Sequence, residues 1–147
     1  MLHGELTDKI ISSFFKVYNI LGYGFLEKVY ENALVIELKR AGINVLQQQN
    51  IKVFYENQVV GDYFADIIAD QVILEIKVAE GIREENRAQL INYLKATDKE
   101  IGLLLNFGRT PEFKRLIFTN DRKERFGSET PNQCVSVESV SSVFLPP

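Results

Sequence analysis

The chain has 147 residues, yet only one cysteine and one histidine. A single cysteine, Cys134, excludes an internal disulfide framework and any multi-cysteine zinc site. The lone His3 stands at the N-terminus, so Ser-His-Asp and Cys-His chemistry lack their base. No apolar run approaches the ~18 residues that a membrane-spanning helix needs. The opening segment MLHGELTDK has no apolar stretch of the secretory kind. A reduced, soluble, cytoplasmic protein is the expectation. A strong charge of either sign is also missing: the net charge is −3. That disfavours a protein that coats nucleic acid nonspecifically, which is usually basic. The deficit is uneven, because residues 109–125 carry six lysines and arginines against three acids.

What is present is a sizeable apolar fraction, 46% of residues, enough for one domain with its own core and too much for overall disorder. Apolar residues at helical spacing predict a helix over residues 6–21, with Thr7 as N-cap, and a second over 25–41, stopped by Gly42. The apolar stripe of the second comprises Leu26, Val29, Tyr30, Ala33, Leu34 and Leu38. Alternating or continuous β-rich runs then predict strands at residues 43–45, 51–55, 59–69 and 72–79. A third helix fits residues 84–96, with Leu90, Ile91 and Leu94 inward. An unbroken apolar strand fits residues 101–107 and a short strand 116–118. The order α-α-β-β-β-β-α-β-β does not alternate as a doubly wound fold would. No glycine-rich phosphate loop follows any strand. The reading is α/β (α+β), a mixed sheet flanked by helices. Residues 1–120 form the domain, and the serine-rich residues 121–147 are a mobile or loosely docked tail.

The chemistry concentrates in Gly61 to Glu80. If Asp70 and Gln71 are the two loop residues of a hairpin, Ile67 faces Leu74 and Asp66 faces Glu75. Phe64, Asp66, Ile68, Ile73, Glu75 and Lys77 then share one face, and Ala65, Ile67, Leu74, Ile76 and Val78 make an apolar opposite face. Two carboxylates directly opposite repel each other, and burying both among apolar neighbours is worse still. Lys77 offsets one of them, whereas a divalent cation offsets both. Mg²⁺ takes oxygen ligands, commonly one or two carboxylates plus waters and substrate phosphates. Asp66, Glu75 and the backbone carbonyl of Ile76 supply such a set. An ammonium at Lys77 can orient a metal-bound water or neutralise a phosphoryl oxygen. Together these are parts of metal-assisted phosphodiester hydrolysis. Gln89 and Tyr93 share a helix face and can look into such a site.

Asp66…Glu75-x-Lys77 resembles the signature of the PD-(D/E)xK nucleases. Gly24 to Tyr30 reads GxxExxY and is similar to the motif that names the GxxExxY proteins, a branch of that superfamily. Residues 89–97, QLINYLKAT, and 102–108, GLLLNFG, resemble a helix and a strand of the same branch. The resemblance covers about residues 5–118. One departure is Ala65, where the superfamily often has proline before the aspartate. The resemblance implies a restriction-endonuclease-like core and a Mg²⁺- or Mn²⁺-dependent nuclease site. In it Asp66, Glu75 and Lys77 are joined by Glu27 and Gln89, with Glu27 serving the metal or its waters. On position alone Glu27 is only a favourable charge at a helix start. Tyr30 and Tyr93 are candidates for substrate contact. So are Arg83 and Arg87, which lie on or beside the third helix. Nucleic acid is the expected partner, of unspecified type, and a homodimer is open. A binding module without catalysis, and a hydrolase of a small phosphorylated molecule, are the competing readings.

Overall fold

The structure, a computed structural model, describes residues 2–123. Helix α1 spans Gly4–Leu21 and α2 spans Glu27–Arg40. Strands β1 (Val45–Tyr55), β2 (Gln58–Ala69) and β3 (Val72–Lys77) follow, then α3 (Glu84–Lys95), β4 (Ile101–Asn106) and β5 (Glu112–Ile117). The five strands form one sheet in the order β1-β2-β3-β4-β5. All pairs are antiparallel except β3 with β4, which run parallel across the α3 connection. The sheet is therefore mixed, as the element order implied.

Helix α1 lays Ile10, Phe14 and Val17 on one face of the sheet, beside Tyr30, Leu34, Val35 and Leu38 of α2. They meet Ile67, Leu74, Ile76, Leu103 and Leu105 there. Helix α3 covers the other face with Leu90, Ile91, Tyr93 and Leu94, against Ile68, Ile73 and Leu104. Every residue of β4 is buried, as a strand covered on both faces requires. Helix α2 stops as its sequence suggests. Gly42 has φ of +83°, its N–H reaches the Lys39 carbonyl, and Ile43 N–H reaches that of Leu38. This left-handed glycine turn satisfies carbonyls that the helix end leaves open. Among the described residues no helix is long and apolar enough to cross a membrane.

Several expectations are corrected. Thr7 lies inside α1, donating its hydroxyl to the His3 carbonyl at 2.8 Å, so it is not the N-cap. The two strands expected at residues 43–45 and 51–55 are one, β1, because the polar residues between them lie on an exposed sheet edge with no core face to satisfy. Leu26 and Val29 are exposed, at 80% and 40%, because the buried face of α2 runs through Tyr30, Glu31, Leu34, Val35 and Leu38. The last strand starts at Glu112, earlier than its apolar residues suggested, because its outer face is solvated. The reading of residues 121–147 as a tail falls, beyond Lys123, outside the described residues. Lys123 itself donates its ammonium to the Thr97 and Lys99 carbonyls at 2.9 and 2.7 Å.

Candidate active site

Strands β2 and β3 pair in the register that a two-residue Asp70-Gln71 turn dictates: Ile67 with Leu74, Ile68 with Ile73, Ala69 with Val72. Asp70 takes φ of +52°, which a short polar side chain tolerates at such a turn. The ladder stops one pair later, at Asp66 and Glu75. There the side chains replace the backbone bonds. The Glu75 carboxylate accepts the Asp66 N–H at 3.1 Å, and the Asp66 carboxylate accepts the Ile76 N–H at 2.8 Å. The strands part, and each carboxylate is fixed by the other's strand.

The two acids are thus held side by side, with Glu75 only 4% exposed. Burial pushes the Glu75 carboxyl up to about 8, and the charge of Asp66 adds to it. Burial also raises Asp66, although the bond from Ile76 N–H works the other way. Lys77, half-buried at the end of β3, favours the charged form of both. Its ammonium takes part in no ion pair within 4.0 Å among the described residues.

Two helices bring the remaining groups. Glu27, first residue of α2, is exposed, and its charge reaches Glu75 without direct contact. From α3, Gln89 donates its side-chain amide to the Tyr93 hydroxyl at 2.9 Å. Burial, and then the charges of Glu75 and Asp66, hold that hydroxyl far above its ordinary range, so it keeps its proton and remains a donor. The structure therefore gathers Asp66, Glu75, Lys77, Gln89 and Tyr93, with Glu27 at the rim.

Other candidates lie elsewhere. Tyr30 is fully buried, with its ring stacked on Phe107 at 4.5 Å. Its hydroxyl donates to the Gly22 carbonyl and accepts the Phe25 N–H. It fastens the α1–α2 loop and has no surface for substrate. Arg83 and Arg87 stand at the start of α3, 3.8 Å from Glu85 and 4.0 Å from Glu84, and make no contact with the carboxylates. The expected face alternation also fails at one place. Ala65 packs with the α3-side cluster and not with Ile67, just beyond the last pair of the β2–β3 ladder.

Two site groups were not foreseen. Glu31, one turn beyond Glu27, is 4% exposed and raises Asp66 through its charge. Its carboxylate accepts amide bonds from Gln47 at 2.8 Å and from Gln48 at 3.1 Å. The Gln48 amide also reaches Asp66 at 3.4 Å, and so bridges the two acids. Gln48 stands across from Asp66, where the β1–β2 register skips a pair, with φ of +53°. A non-glycine residue in that region costs about 1–3 kcal/mol and persists where the surroundings hold it, often at functional sites. The four-residue spacing to Glu27 was a usable signal for Glu31. Gln48, one of three glutamines in a row, had none.

Comparison with known proteins agrees with this fold. A family model described as the PD-(D/E)XK nuclease superfamily matches residues 4–116, from the start of α1 almost to the end of β5. No curated protein matches the chain. Among solved structures, the crystal structure of SSO0001 matches with a TM-score of 0.50 and 18% identity, over 80% of this chain. The chain spans 59% of the length of that protein, and the likeness concerns the fold. With a mixed sheet between helices, an Asp and a Glu-x-Lys meeting where two strands part, and a family match over most of the sequence, the chain belongs to the PD-(D/E)XK nuclease superfamily.

Proposed function

We propose that the protein is a Mg²⁺- or Mn²⁺-dependent nuclease that hydrolyses phosphodiester bonds of nucleic acid at the parting of β2 and β3. The observation that carries this reading is the cross-strand pair. Asp66, half-buried, and Glu75, buried, are each bonded to the other's strand and share Lys77 as compensating cation. A purely structural role would favour one acid and one base there, since like charges opposite each other are destabilising.

The donor set fits a hard divalent ion. Carboxylate oxygens of Asp66 and Glu75 and the Ile76 carbonyl would hold it, and Glu27 would serve its waters. Among the described residues no group of three or more His, Cys, Asp or Glu is close enough to hold a metal ion. Mg²⁺ does not require three such groups, because it keeps several waters and binds through one or two carboxylates. When bound, the ion lowers the pKa of a coordinated water and neutralises charge on the phosphoryl group. The chain's own residues do the rest. The Lys77 ammonium orients the attacking water or holds a phosphoryl oxygen. Gln89 and protonated Tyr93 position a water or a substrate oxygen. Arg83 and Arg87 are outlying phosphate contacts at most. The motifs at residues 24–30, 89–97 and 102–108 support membership of the GxxExxY branch, with residues 1–120 as the nuclease unit.

The test is cleavage of supercoiled plasmid, single-stranded DNA, branched DNA and RNA with Mg²⁺, Mn²⁺ or EDTA, with Glu75→Ala purified alongside. Metal-dependent cutting that vanishes in Glu75→Ala is expected. No cutting of any polymer, or cutting that survives EDTA and the substitution, rejects the proposal.

A further inference from the structure

We infer that Tyr63 is a stacking shelf for an unpaired nucleobase, and that the preferred substrate is single-stranded or locally opened nucleic acid. This rests on the nuclease reading of the same site. Tyr63 lies on β2, three residues before Asp66, or about 10 Å along the strand. Its ring approaches that of Tyr93 to 5.8 Å between centroids, so it adjoins an α3 group on which the charges of both carboxylates act. Tyr93 is 3% exposed, whereas Tyr63 is 42% exposed. The buried ring thus backs an open one at the edge of the site.

The strand is built to hold that ring. Gly61 stands where the pairing of β2 with β1 shifts register, a place where glycine accommodates a bulge and leaves room for a close approach. A Cβ there would meet the Tyr63 ring at 2.9 Å and the Val53 side chain at 3.2 Å. Tyr63 therefore lies against the ribbon beside Gly61 and remains partly exposed. The Tyr63 carbonyl accepts the Asn50 amide at 3.0 Å, which pins this part of the ribbon.

Charge selects the occupant. Duplex binding draws its affinity from rows of Lys and Arg on phosphates. Here Lys77 is the cation that acts on both carboxylates, against Glu27 and Glu31. Beside Tyr63, the Asp62 carboxylate already faces Lys52 at 3.7 Å. An acidic site with an open aromatic ring suits a base with an exposed π-face better than a continuous phosphate track. Stacking on an aromatic side chain serves any base.

The chain contains no tryptophan, so Tyr63→Trp creates a unique fluorescent reporter. That variant is titrated with single-stranded DNA, single-stranded RNA and a matched DNA duplex, with Ca²⁺ replacing Mg²⁺. Affinities of wild type, Tyr63→Phe and Tyr63→Ala are measured in parallel by anisotropy. Quenching of the new indole by single strands is expected, with weaker binding of the duplex. Tyr63→Ala is expected to lose about tenfold or more in single-strand affinity, and Tyr63→Phe to keep it. The DNA and RNA arms identify the polymer. Unchanged affinity in Tyr63→Ala, an unquenched indole, or preference for the duplex overturns the shelf. If wild type cuts nucleic acid while any of these holds, the nuclease reading stands and the shelf falls. If single strands bind and quench but no metal supports cutting, the shelf stands and the nuclease reading falls. Binding of none of the three polymers rejects both.

Discussion

Glu75 is held where its charge is costly. In the unfolded chain its carboxyl titrates near 4.5, whereas in the fold it is pushed up to about 8. Between those values the folded state binds the extra proton, so stability falls as pH rises. The cost is small near pH 5 and complete above pH 8. Glu75→Gln, measured without metal, is therefore expected to raise the melting temperature at pH 8 by about 5–10 °C, with the gain shrinking toward pH 5; each pKa unit is worth about 1.4 kcal/mol, discounted here for coupling to Asp66. A Glu75→Gln variant less stable than wild type at pH 8 would contradict the burial argument. Gln48 makes a second case, since its left-handed backbone is retained for an amide that joins Glu31 to Asp66. Urea unfolding should find Gln48→Gly more stable than Gln48→Ala by about 1 kcal/mol, because only glycine relaxes there. Both should cut activity, because both lose the bridge. At this scale Asp66, Glu75 and Lys77 stood out through the inferred hairpin register and the family resemblance, not through spacing alone. The sequence concealed Gln48 and the true place of Tyr30, because both are settled by neighbours distant in sequence.

The end of β3 is tied down by β4 and not by its own sequence. Asn106 pairs with Lys77 in the parallel register. Its side chain accepts the Ala79 N–H at 2.9 Å and donates to the Ala79 carbonyl at 3.0 Å. A buried asparagine in an apolar strand had to find partners, and these are they. Asn106→Leu strands both Ala79 groups and is expected to cost about 2 kcal/mol or more in urea unfolding. Activity should fall further than that loss explains, since the strand end carrying Lys77 is released. The neighbouring glycines have related roles. A Cβ at Gly102 would meet Leu90 at 2.8 Å, and one at Gly108 would meet the Ala79 carbonyl oxygen at 2.0 Å. Gly102→Ala should cost about 1–3 kcal/mol by pressing on α3, and Gly108→Ala more, because a backbone atom cannot step aside. Elements with strong periodicity and clear stops, α3 and β4 among them, were legible in the sequence. The join of residues 43–45 with 51–55 was not, since an exposed edge strand needs no apolar alternation. Nor was the exposure of Leu26 and Val29, which depends on which face of α2 meets the core.

At the scale of the whole molecule, fold class followed from element order, whereas the site arises from contacts between five elements, β1 among them through Gln48. Helix α2 brings Glu27 and Glu31, the parting strands bring Asp66 and Glu75, and α3 brings Gln89 and Tyr93. The molecule carries a net charge of −3, and its candidate site is itself acidic. Few phosphates are then neutralised on binding, so nucleic-acid affinity should depend weakly on salt, with a log–log slope of about −2 or shallower. A slope several units steeper would point to a basic surface that this account does not use. The central claim remains that Asp66 and Glu75 together hold a divalent ion. The direct measurement is Mn²⁺ binding, by paramagnetic resonance or calorimetry, to wild type, Asp66→Asn and Glu75→Gln, with melting temperatures recorded in Mn²⁺ and in EDTA. The account predicts one ion bound by wild type, a melting temperature raised by saturating Mn²⁺, and loss of both effects in either variant. Undiminished Mn²⁺ affinity in both variants would contradict it.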